Sequence, residues 1–201
     1  MALLSILVIF LLLWGGVSTF TLFSLNQLTS SLHLSSNQQK NINIINRGND
    51  QYFRVVTRLS RAAAYRQSGA TANADRELAS AGVALKNTQD NLAKFKLQSH
   101  ESMDPILTDK TIQSWSTLLS KGIEPMVKAV TENRFEDYNK LFNNDYPPLS
   151  REFGATVEKY NSTVDIATEA ASLRVETLVD WCQRALFAAL IDVRGVRRSR
   201  R

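Results

Sequence analysis

Across 201 residues there is a single cysteine, Cys182, so no internal disulfide can form. There is also no Cys-x-x-Cys pair and no Cys/His cluster of the kind that holds zinc. The only histidines, His33 and His100, lie far apart and read as ordinary helix or surface residues, so neither metal nor cofactor is expected. Paired-carboxylate motifs, the Glu-x-x-His of di-iron bundles, a nucleophile elbow and a phosphate-cradling glycine loop are all missing, and an enzyme is not indicated. Glycine (8) and proline (4) are scarce, which removes the frequent turn punctuation that sandwiches and barrels need. The class left is all-α.

Charge is absent at one end and concentrated at the other. No Lys, Arg, Asp or Glu precedes Lys40, whereas five of the 24 basic residues fall in the last eight positions. Taking away those five and Asp192 lowers the formal charge from +5 to +1, so the body of the chain is nearly neutral. It carries no basic footprint for nucleic acid.

What is present begins with an apolar run, ALLSILVIFLLLWGGVSTFTLF at 2–23. At roughly 1.5 Å per helical residue it reaches about 33 Å, enough to cross a hydrocarbon layer. A cleaved signal would need a basic n-region, a shorter apolar core and a small-residue cleavage site, so residues 1–23 read as an uncleaved transmembrane helix. The positive-inside rule gives no orientation, because no basic residue flanks the run on its N-terminal side.

Residues 24–180 read as four amphipathic helices. The first carries Leu25, Leu28, Leu32, Ile42, Ile45, Tyr52, Val56, Leu59 and Ala63 at three- and four-residue steps, and ends near Ser68-Gly69. Thr71 or Asn73 is placed to cap the second, which aligns Leu78, Ala81, Leu85, Leu92 and Phe95 and stops before Pro105. The third is expected to start at Thr108-Asp109 and to align Ile112, Trp115, Leu119, Ile123, Met126 and Val130, with a kink at Pro125. Residues 132–148 read as a short helix and a turn, with Pro148 opening the fourth helix. Its seam, from Leu149 and Phe153 through Val157, Tyr160, Val164, Ala167, Ala171 and Val175 to Leu178, steps by three and four throughout. The expected architecture is a membrane-anchored, up-down-up-down four-helix bundle.

Trp181 suits a membrane interface, and ALFAALI at 185–191 begins a second apolar run. Residues 181–191 thus read as the start of an incomplete second crossing, followed by an Arg-rich tail at 192–201. On this reading the fourth helix ends near the membrane surface, and the chain alone cannot drive an output on the other side.

Arg54, Arg58 and Arg61 recur at i, i+4 and i+7, with Tyr65 extending the stripe, and such a face suits a small carboxylate held by bidentate hydrogen bonds. The plain alternative is a basic face that merely keeps the helix soluble. At the level of function, an anchor plus heptads would also serve a structural coiled coil, and a sensor of the histidine-kinase class would use the same bundle.

The anchor running into SLNQLTSSL, TRLSRAAAYR at 57–66, and above all LLSKGIEPMVKAVTENRFEDYNKLF at 118–142, with Gly122, Pro125-Met126 and Tyr138, resemble the N-terminal half of bacterial methyl-accepting chemotaxis proteins of the aspartate, serine and citrate receptor family. The resemblance covers nearly the whole chain. It implies a periplasmic sensory domain at the inner membrane, a homodimer that binds a small-molecule chemoeffector across its subunit interface and shifts its fourth helix like a piston. Within it, Leu59-Ser60-Arg61 matches a ligand-contacting Leu-Ser-Arg, which singles out Arg61. The family pattern has further arginines where this chain has Val56 and Tyr65, with Arg58 and Arg66 as the available substitutes. That departure points away from aspartate and serine and leaves an anionic or aromatic ligand. The opposite wall of a family-like pocket is implied at Phe142, Asn144, Tyr146 and Ser150.

Overall fold

The computed structural model describes residues 2–101 and 103–198, with side chains described across 36–184 apart from 102, 178 and 182 and at scattered positions before 36. Every element among them is helical: α1 Ala2–Gln67, α2 Thr71–Leu97, α3 Pro105–Thr117, α4 Glu124–Thr131, α5 Phe135–Lys140 and α6 Tyr146–Arg198. Two short π-helical segments, Leu118–Ile123 and Leu141–Asp145, weld α3 to α4 and α5 to α6, so the six elements form four continuous rods. The chain divides into two compact units, one of Ser36–Asp165 and one of the residues on either side of it.

Within Ser36–Asp165 three short connections reverse the chain, which gives the expected up-down-up-down order. At the first, Gly69 takes φ of +80°, its N–H bonds to the Arg66 carbonyl and that of Ala70 to the Tyr65 carbonyl, which closes α1 in a Schellman motif. Glycine adopts this left-handed conformation without a Cβ clash. At the last, Asn133 does the same work with φ of +56°, its N–H reaching the Val130 carbonyl and that of Arg134 the Ala129 carbonyl.

Several boundaries differ from the sequence expectation. The third rod begins at Pro105, because the Asp104 carboxylate accepts from the Ile106 N–H at 2.9 Å and so caps the helix. Thr108 is buried inside that helix and is not its cap. Neither Thr71 nor Asn73 is the cap of α2; Ala70 holds that position without a side-chain bond. The segment NNDYPP is not a turn but a π-helical segment running into α6, and the chain reverses earlier, at 132–134.

Proline explains both π segments. Pro125, Pro147 and Pro148 have no N–H, and in α register each would clash with the carbonyl four residues back. An i to i+5 register relieves this, with Glu124 N–H bonded to the Leu119 carbonyl and Tyr146 N–H to that of Leu141.

The core of this unit follows the expected seams with small shifts. On α1 the buried set is Ile42, Ile45, Tyr52, Val55, Leu59, Ala62 and Ala63, and Val56 is only half-buried. Packing on α2 uses the small side chains Ala74, Ala81, Ala84 and Thr88 and then Leu92 and Phe95, with Leu78 and Leu85 at the margin. Trp115 sits at the centre, its indole N–H donating to Thr88 Oγ1 at 3.2 Å, whose own hydroxyl donates to the Gly48 carbonyl at 3.0 Å. Glycine is required there, since a Cβ on residue 48 would lie 1.9 Å from Trp115 Cζ2.

Among the described residues no helix is long and apolar enough to cross a membrane. The run at 2–23 belongs to α1, but most of its side chains lie outside the described residues, as do all of those at 185–191 and in the tail.

Candidate sensory site

The arginine stripe forms as the spacing predicts, yet its members have different fates. Arg54 bonds Asp50 on its own helix at 3.0 Å, and both are well exposed. Arg58 reaches across to Glu77 on α2 at 2.9 Å, and Arg66 to Asp75 at 2.6 Å. Arg61 is exposed and makes no ion pair among the described residues. Tyr65 lies near it in sequence, at the margin of exposure.

Phe142, Asn144, Tyr146 and Ser150 lie along the second π segment and the first turns of α6, and only Ser150 among them lines the groove beside Tyr52. Phe142 stacks between Tyr138, at 5.7 Å between ring centroids, and Tyr146, at 6.1 Å. Asn144 is exposed, and Ser150 shares a 3.2 Å hydrogen bond with the Tyr52 hydroxyl of α1. Tyr52 and Ser150 line a groove of about 630 Å³ together with Asn46, Asn49, Phe53 and Arg151. Arg54, Arg58, Arg61, Tyr65 and Arg66 do not line that groove.

Burial sets the protonation of the phenols that join these helices. Tyr52 is pushed up to about 12, chiefly by burial and also by Tyr146 beside it, against the opposing hydrogen bond from Ser150. Tyr138 is raised by burial, with the nearby Ser60 of the Leu-Ser-Arg motif pulling the other way. Sequence reasoning missed the nearness of Ser60 to Tyr138 and the two acidic partners on α2. The signal for the latter was available, because a helical hairpin folded about Gly69 sets the last turns of α1 opposite the first turns of α2. Among the described residues no group of three His, Cys, Asp or Glu is placed to hold a metal ion.

Among the described residues the chain is an all-helical up-down bundle, with Arg61 exposed on α1 and an aromatic stack at the head of α6. The family can be stated: a family model described as Tar ligand binding domain homologue matches residues 1–164, and the chain belongs to that family. A solved structure agrees. The crystal structure of the N-terminal ligand-binding domain of a methyl-accepting chemotaxis protein from Salmonella enterica is 28% identical, with a TM-score of 0.61, covering 68% of this chain and 98% of that one. A search of curated proteins returned no match. The chain is therefore a sensory ligand-binding domain of the chemotaxis receptor type, and the up-down bundle expected from its heptads is the fold that it has.

Proposed function

We propose that the chain senses an anionic small molecule on the Arg61 face of α1, as a periplasmic homodimer held at the inner membrane by residues 1–23. Residues 24–180 are the sensory domain on this reading, and they act by binding and not by catalysis. One observation carries the choice of ligand: Arg54, Arg58 and Arg66 are each paired with a carboxylate, while Arg61 is exposed without one. An unpaired guanidinium has a planar array of donors suited to a carboxylate. The aromatic stack of Tyr138, Phe142 and Tyr146 supplies a wall for the apolar part of such a ligand.

The test is a thermal-shift screen of carboxylates and amino acids, followed by calorimetry on the wild type and Arg61→Ala. Loss of one charge-assisted contact costs about 1.5–3 kcal/mol, which is a weakening of roughly ten- to a hundredfold. A hit that binds both proteins equally well would remove Arg61 from the site.

A further inference from the structure

We infer that Glu77 and Asp75 on α2 set the charge of the ligand, because by holding Arg58 and Arg66 they leave one free guanidinium and so select a singly charged anion over a doubly charged one. The inference rests on the reading of Arg61 given above. Its own evidence is the pair of cross-helix ion pairs, Arg58 Nη1 to Glu77 Oε2 at 2.9 Å and Arg66 Nη2 to Asp75 Oδ1 at 2.6 Å.

The two pairs are unequal. Glu77 is 16% exposed and its arginine 41%, so the carboxylate is the sheltered partner. A dianion that drew Arg58 toward Arg61 would strand a largely buried carboxylate without its counter-charge, which is a strongly unfavourable change. In the other pair the exposure is reversed, with Arg66 at 22% and Asp75 at 63%. Arg66 Nε is also buried and has no partner, so that guanidinium is held inward and its spare donor faces no solvent. Asp50 holds Arg54 only through an exposed pair along one helix, which is weak. The sheltered pair, Arg58 with Glu77, is therefore the main charge filter.

The experiment uses the full chain in detergent micelles and two isosteric ligand pairs that differ by one charge: succinate and succinamate, and glutarate and glutaramate. Affinities are measured by calorimetry for the wild type, Glu77→Gln, Asp75→Asn and Arg61→Ala. Glutamine keeps the size of Glu77 but releases Arg58 from its counter-charge. The wild type should prefer the monoanion of at least one pair. In Glu77→Gln the ratio of affinities should swing toward the dianion by about tenfold, with a smaller swing in Asp75→Asn. An unchanged ratio in both variants, a wild-type preference for the dianion, or no binding by any protein overturns the inference. If the ratio is unchanged while Arg61→Ala still weakens the monoanion, the charge filter fails and the Arg61 site stands. If Arg61→Ala binds as the wild type does, both fall.

Discussion

The centre of the bundle is set by a three-residue agreement among Gly48, Thr88 and Trp115, in which one ring occupies the place of a missing Cβ. Gly48→Ala forces the indole away and breaks its hydrogen bond to Thr88, a case of overpacking that costs about 1–3 kcal/mol. The expected result is a lower melting temperature, read by circular dichroism, with helix content retained below the transition. The buried phenols make a second prediction. Tyr52 and Tyr160 are both raised to about 12 by burial, so the neutral form is the one the fold favours. In the unfolded chain these groups ionise near 10, and the fold resists ionisation until about 12. Their contribution is thus complete below pH 10 and lost as pH rises from 10 to 12. Denaturant titrations across that range should show stability falling, and the fall should be shallower in Tyr52→Phe. At this scale the helix that carries Arg54, Arg58, Arg61 and Tyr65 was legible, since three- and four-residue spacing alone defines a face. The partners on α2 were not, because the spacing within one helix does not say which residues of the next lie opposite.

Among the described residues, His100 is one of the polar groups that join different elements. Its Nε2–H donates to the Phe95 carbonyl at 2.8 Å, while Nδ1 lies 3.3 Å from Asn41 Nδ2 of α1 and 3.5 Å from the Tyr160 hydroxyl of α6. The ring also meets Phe95 edge-on at 4.7 Å. Read from composition as an ordinary residue, it instead pins the α2–α3 connection to both long helices. His100→Ala should cost about 1–3 kcal/mol of stability through the hydrogen bonds it removes, measurable by chemical denaturation. Helix existence and the α6 seam from Phe153 to Val164 were legible because apolar periodicity survives whatever the helices pack against, whereas Ala167, Ala171 and Val175 are only half-buried and the side chain of Leu178 lies outside the described residues. The start of α3 and the site of the last reversal were not. Asp104 outcompeted Thr108 as a cap, and the prolines of DYPP, which usually punctuate a turn, were accommodated by a wider helical register instead.

For the molecule as a whole, the proposed arrangement is a dimeric sensor on a membrane anchor. Residues 1–23 hold an apolar span without a charge, so the chain should partition into the membrane fraction of a bacterial host and resist extraction by high salt. In detergent, sedimentation should give the mass of two chains. The class of the molecule was legible from scarcity as much as from pattern, because few glycines, few prolines and no catalytic motif left little but a helical binding domain. The central claim is that Arg61 carries a chemotactic stimulus into this bundle. It is tested most directly by joining residues 1–180 to the second crossing and cytoplasmic half of a methyl-accepting chemotaxis protein, in a cell lacking its own receptors. A carboxylate found by the binding screen should change the swimming of cells carrying this chimera and leave those carrying its Arg61→Ala form indifferent at the same concentration. An equal response from both, or none from the intact chimera when the carboxylate is bound, would contradict the account.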